Sequence, residues 1–387
     1  MFGRIVAGVA LVLGPLVVTA PAGAAVGPTT PARITARPAA TGISLHWSRS
    51  PGRPTYTVSS SPPGKGCTTA AVTCTVPVDD TTPWTFSVTA SDGRTTSAPS
   101  ASTTPVRTRR VVIVAGASNA AGFESYAVDP STRVSFFAPP FASPTDRTST
   151  IVWLPWLTDP APKVVPMPLR TPQRITATTP DTGGRQIFGP ELGLARQLFA
   201  DTGESVTVVK VSVPANLYRF WKGGSDPKDA VTHTVELTSS VMAYEASRGR
   251  LPVISGVFWV QGESDTNSSL WAEAYQRRLT ELIASLHAEL PMAAGTPLVI
   301  AKVFTTPWWN VVAGAGVCPA GGTDCAEQLA ADATVRAAED AVAAADPTVV
   351  AVETRDLPRT GVMLHYSNVA ELAVGQRMAL AAEPLLP

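Results

Sequence analysis

The tightest constraint on the fold is an alternation that starts at Val111. Short apolar runs (Val111–Ala115, Val206–Val213, Val253–Trp259, Pro297–Val303 and Val349–Val352) take turns with segments of helical period (Glu191–Ala200, Val231–Arg248, Ser269–Leu290, Ala326–Ala345 and Val369–Ala382). A strand without polar alternation is buried on both faces, and the helices between such strands must cover those faces. In Ser269–Leu290, Tyr275, Leu279, Leu282, Ile283 and Leu286 share one side, while Glu273, Arg277, Arg278 and Glu281 occupy the other. The pattern predicts an α/β domain over 108–387, with a mostly parallel sheet between two helical layers. Ligands of such sheets bind beyond the carboxyl ends of the strands, so chemistry is sought just after each apolar run.

Upstream the period changes to two. Ile43-Ser44-Leu45-His46-Trp47, Tyr56-Thr57-Val58 and Trp84-Thr85-Phe86-Ser87-Val88-Thr89 alternate apolar and polar residues between turn-rich stretches, which predicts a small β-sandwich over 29–106. This region resembles a fibronectin type III module through Trp47, through Trp84 with the Phe86 and Val88 alternation, and through Thr96–Ser100. Such a module implies a spacer or weak binding unit, and no chemistry is assigned to it. Ala101 to Arg110 reads as a Ser/Thr/Pro-rich linker ending in basic residues.

The first residues have the anatomy of a secretory signal peptide over 1–24. Arg4 supplies a positive start, Ile5–Val18 an apolar run, and Ala22-Gly23-Ala24 a small-residue cleavage site. The run is shorter than the ~18–20 residues that span a bilayer, so the mature chain is expected to be extracellular and free of the membrane. Thirty basic residues balance thirty acidic ones, which excludes a general nucleic-acid binder, a class that carries a basic patch. The four cysteines fall into two close pairs, Cys67 with Cys74 and Cys318 with Cys325. Neither pair has zinc-ligand spacing or a nearby histidine, so two local disulfides are expected. With no metal cluster and no phosphate-cradling loop in the sequence, no metal and no cofactor are expected.

Three islands follow the apolar runs. Gly116-Ala117-Ser118-Asn119 comes directly after the first, and Gly116 lets the backbone turn so that Ser118 stands at a strand end beside a helix N-terminus. Taken alone, a helix-capping serine explains it as well. Trp259-Val260-Gln261-Gly262-Glu263-Ser264-Asp265 ends another strand and offers a carboxamide and carboxylates. Met363-Leu364-His365-Tyr366-Ser367 precedes the final helix, and of the four histidines (His46, His233, His287, His365) only His365 occupies such a position.

In order and spacing these islands resemble the sialate O-acetylesterase group and carbohydrate esterase family 6, within the SGNH hydrolases. Gly116, Ser118, Asn119 and Gly122 match the family's first block. Phe188-Gly189-Pro190-Glu191, Gln261-Gly262-Glu263, His365 and Gly375-Gln376-Arg377-Met378-Ala379 match later ones. The resemblance implies a three-layer α/β/α, flavodoxin-like domain and a serine-esterase mechanism. In it Ser118 is the nucleophile, His365 the base, and Ser118 N–H, Gly189 N–H and the Gln261 side chain the oxyanion donors. Asn119 is read as a tie between loops.

Departures from the family pattern matter. Val362 stands where many SGNH enzymes carry the acid of the triad. Glu263 is the first choice for that acid, ahead of Asp356 and Asp265, and a dyad without an acid stays open. Ala117, Ala120 and Val260 replace the usual Gln, Met and His and leave substrate preference open. Trp156, Trp308, Trp309 and Trp221 lie where loops rise over the strand ends and suit sugar rings, although packing of the loops explains them equally well. An acetylated carbohydrate is the expected substrate, a plant-wall polysaccharide such as acetylated xylan, with acetylated sialic acid or a host glycan as the alternative, and the oligomeric state is unknown. Two rivals remain. A broader lipid or aryl esterase would be distinguished by long-chain acyl esters. A decayed carbohydrate-binding protein would bind glycan without turnover.

Overall fold

The computed structural model describes residues 27–129, 131–136, 143, 149–155, 169–175, 179–180, 186–213, 217, 221, 229–304, 323–359 and 365–386. The signal-peptide reading, Trp156, Trp308, Trp309 and Cys318 fall outside them.

The amino-terminal unit is a β-sandwich. One antiparallel sheet holds β1 (Thr35–Ala39), β2 (Gly42–His46) and β5 (Thr73–Pro77); the other holds β4 (Gly66–Thr69), β3 (Thr55–Ser61) and β6 (Thr85–Ser91). The period-two residues face inward: Ile43, Leu45, Trp47, Tyr56, Val58, Phe86 and Val88 form one buried cluster. Trp47 meets Tyr56 edge to face with ring centroids 5.4 Å apart. The Cys67–Cys74 disulfide is present and joins β4 to β5, hence one sheet to the other.

The linker reading of Ala101–Arg110 needs correction at both ends. Ser97, Ser100 and Thr103 run antiparallel along β6 and pair with it twice each. Their N–H groups donate to the carbonyls of Ala90, Val88 and Phe86 at 2.8–2.9 Å, while their hydroxyls accept the N–H groups of the same three residues at 3.0 Å. Hydroxyls spaced three apart thus do the work of a backbone ladder, which makes a Ser/Thr/Pro stretch part of the sandwich. At the other end Arg109 and Arg110 lie inside a strand. Arg109 is buried, with its guanidinium donating to Thr207 Oγ1 and the Ser205 carbonyl.

That strand, β7 (Thr108–Gly116), is the centre of a seven-stranded sheet. The sheet also contains β8 (Thr150–Pro155), β9 (Leu169–Arg174), β12 (Val206–Ser212), β13 (Leu251–Val260), β14 (Leu298–Ala301) and β15 (Val349–Val352), in the order β15-β14-β13-β7-β12-β8-β9. Only β9 is antiparallel to its neighbour. Without β8 and β9 the order is the 2-1-3-4-5 of flavodoxin-like sheets. A short pair, β10 (Thr179–Pro180) and β11 (Gln186–Ile187), lies outside the sheet.

Helices cover both faces. Val112, Val114, Val206 and Val208 pack on α2 (Glu191–Thr202) and α6 (Asn368–Ala382), together with the single turn α1 (Ser118–Ala121). Ile113, Ala115, Val209 and Val211 pack on α3 (Ala230–Ser247), α4 (Ser269–Glu289) and α5 (Thr323–Ala345). This is the three-layer α/β/α architecture. The sandwich sits against the amino-terminal edge of the sheet, where Leu251 and Val253 at the start of β13 complete its core and Leu251 N–H donates to the Arg107 carbonyl at 2.7 Å.

Candidate active site

Strand order reverses between β7 and β13, so the crevice for a ligand opens beyond their carboxyl ends. β7 ends in Gly116 at φ 149°, where a Cβ would stand 2.0 Å from the Val260 carbonyl oxygen. Only glycine lets the chain turn that closely past β13, and Ala117 N–H then donates to the same carbonyl at 2.9 Å. Ser118 opens α1 half-buried, and Gly122 (φ 83°) closes the turn. A Cβ on Gly122 would meet the Phe188 carbonyl oxygen at 1.9 Å, so this glycine lets the Phe188-Gly189 segment lie against the Ser118 turn.

Asn119 joins the three islands. It is fully buried; its Nδ2 donates to Glu263 Oε1 at 2.6 Å and its Oδ1 accepts Tyr366 N–H at 3.2 Å. One carboxamide therefore bonds to the turn after β13 and to the residue following His365. Phe123 and Glu124 approach the same segment. The Phe123 ring centroid lies 5.9 Å from that of His365, and Glu124 Oε2 lies 3.2 Å from His365 Nδ1.

The acids are distributed differently from the sequence expectation. Glu263 bonds to Asn119 rather than to His365. Asp265 accepts Gln261 Nε2 at 2.5 Å and Leu217 N–H at 3.0 Å; burial pushes its carboxyl up to about 7 against the pull of those bonds. Asp356 is exposed and clasped by Arg377 through two 2.6 Å bonds, which hold its carboxyl down at about 2. The carboxylate that stands at His365 is Glu124, which sequence reasoning missed. Its only signal was an acidic residue six positions after the serine, inside a turn.

The Gly189 oxyanion expectation is also corrected. Gly189 N–H donates to both carboxylate oxygens of Glu191, at 3.0 and 3.1 Å. Glu191 is buried at the start of α2 and must collect donors; it takes this one and Lys210 Nζ at 2.8 Å. Lys210, buried in β12, also donates to the Ala121 carbonyl of the Ser118 turn at 2.9 Å. A lone lysine in the run Val206–Ser212 was a legible sign of such a partner.

Ser118 N–H and the Gln261 carboxamide remain as candidate oxyanion donors, with one Gln261 N–H directed to Asp265. Trp221 is no sugar platform: it is buried and packs edge-on against Trp259 at 4.8 Å. Among the described residues no three His, Cys, Asp or Glu side chains are grouped to hold a metal, and no helix is long and apolar enough to cross a membrane.

Solved structures similar to the chain include a protein from Arabidopsis thaliana (19% identity over 72% of this chain and 98% of that one, TM-score 0.47). A carbohydrate acetylesterase from Xanthomonas citri is 15% identical over 91% and 75%, with TM-score 0.44. NanS is 14% identical over 72% and 98%, with TM-score 0.45. No curated protein matches the sequence. The family model described as carbohydrate esterase, sialic acid-specific acetylesterase matches residues 108–383. That span runs from the first strand of the large sheet through its last helix, and the chain belongs to this family of esterases acting on acetylated carbohydrate.

Proposed function

We propose that the protein is a secreted carbohydrate O-acetylesterase in which Ser118 and His365 form and hydrolyse an acetyl-enzyme. The observation that carries this reading is the Asn119 carboxamide, which ties the serine turn to the His365 segment at the switch point of the sheet. Ser118 Oγ attacks the acetyl carbonyl carbon and its proton passes to His365 Nε2, the imidazole nitrogen opposite the one beside Glu124. The tetrahedral intermediate collapses, the bond to the sugar oxygen breaks, and His365 returns the proton to that oxygen. Water, deprotonated by His365, then releases acetate. Ser118 N–H and Gln261 are the donors for the oxyanion. Loss of one such donor typically costs ~10²–10³ in turnover.

The readings of an amino-terminal signal peptide and an extracellular location belong to the same proposal. The Cys67–Cys74 disulfide supports them, since such bonds persist in oxidising compartments. The test is acetate release from acetylated xylan, an acetylated sialic acid and a small aryl acetate by the mature protein and by Ser118→Ala. Release by the first and none by the second is expected. Glycan binding without turnover in well-folded wild type would instead support a decayed site.

A further inference from the structure

We infer that Glu124 is the positioning residue for His365: its carboxylate receives the Nδ1–H and turns Nε2 toward Ser118. This rests on the esterase reading above and supplies the acid that the motif positions do not. Four observations carry it. The carboxylate and the imidazole are 3.2 Å apart, and their side chains are only 31% and 15% exposed, so solvent competes weakly for the contact. Glu124 is held at φ 64°, a left-handed conformation that a non-glycine residue adopts at a cost and that the surroundings must enforce.

The enforcement is visible on either side of it. The Ser118 carbonyl accepts N–H from both Gly122 and Phe123, at 3.0 and 3.1 Å, and the buried Ser125 accepts Phe188 N–H at 3.0 Å. Glu124 is therefore mounted on the same turn as the nucleophile, and the bond from Tyr366 N–H to Asn119 holds the histidine segment against that turn. Finally, none of the acids that the sequence offered is bonded to His365: Glu263 gives Oε1 to Asn119 and its Oε2 has no hydrogen-bond partner among the described residues, Asp265 holds Gln261 and Leu217, and Asp356 holds Arg377. A carboxylate at Nδ1 fixes the tautomer that leaves Nε2 free to accept the serine proton, and it stabilises the imidazolium that results.

The experiment compares Glu124→Gln, Glu124→Asp, Glu263→Gln and Ser118→Ala with wild type on a small acetate ester, together with proton NMR of the histidine ring N–H. Glu124→Gln is expected to lower kcat about 10- to 300-fold with KM unchanged, less than the ~10⁴ seen for a fully buried triad acid. Glu124→Asp recovers part of the loss, and Glu263→Gln loses less than Glu124→Gln. A far-downfield N–H resonance present in wild type should vanish in Glu124→Gln and persist in Ser118→Ala. Wild-type kcat in Glu124→Gln, or a loss confined to KM, overturns the inference while the Ser118-dependent activity stands. No Ser118-dependent acetate release in wild type sinks the esterase reading itself. In that case the resonance alone decides whether Glu124 holds the histidine, and its absence overturns the contact as well.

Discussion

Glu371 has no part in the proposed chemistry, yet it lies beneath the site in α6 with no solvent exposure. Neither of its oxygens has a hydrogen-bond donor among the described residues. Burial, reinforced by the Glu191 charge, pushes its carboxyl well above the ordinary glutamate value. The folded chain therefore keeps a proton that the unfolded chain releases. The contribution to stability is full below the ordinary glutamate value and is lost as the pH rises above it. The slope is about 1.4 kcal/mol per pH unit for one proton. Glu371→Gln removes that proton from the balance, so chemical unfolding followed from pH 5 to pH 8 should show a flatter decline in the variant. Parallel declines in the two proteins would place the ionised carboxylate in the folded state.

At the scale of elements, the Glu191–Lys210 pair couples three pieces of structure: α2, β12 and the carbonyl end of the Ser118 turn. Lys210→Met leaves the Glu191 carboxylate buried without its cation. A cost of roughly 3–5 kcal/mol in urea unfolding is expected from a broken buried pair. The double variant Lys210→Met/Glu191→Gln should regain part of it, and additive losses would show that the two side chains act independently.

Much of the layering was legible because β7, β12 and β13 are buried on both faces and so read as continuous apolar runs, while α4 carries its Tyr275, Leu279 and Leu286 stripe in plain period. β8 and β9 were not legible. β9 is the edge strand and β8 lies next to it, both within a Pro-rich stretch, and an edge strand needs neither two apolar faces nor a full set of backbone donors. The site divides along a similar line. Ser118, Asn119 and His365 lie in local blocks whose spacing survives in the sequence. The partner of a side chain is set by tertiary placement: Gly189 N–H turned to Glu191 and Glu263 to Asn119 because buried polar groups take the nearest partner that satisfies them.

Across the whole molecule the sandwich and the site occupy opposite edges of the sheet. The ten residues of β13 separate them by roughly 30 Å at the usual rise per residue. The sandwich acts on the esterase domain through packing: Leu251 and Val253 belong to its core. A chain beginning at residue 108 would bare both side chains. It is expected to lose stability and to self-associate more than the full chain in light scattering. A truncated domain that scatters like the full chain, with an unchanged melting temperature, would show that the two units are independent.

The serine and threonine rail along β6 has a consequence of another kind. A sheet border with a free row of amides invites a foreign strand, and many proteins repel that guest with lysines. This chain is only 16% charged, so it has few charges with which to hold neighbouring copies apart. By seating the Ser97, Ser100 and Thr103 hydroxyls on the amides of Ala90, Val88 and Phe86, it leaves that border with nothing to offer an incoming strand. The β6 border is thus closed to edge-to-edge pairing without any charged residue.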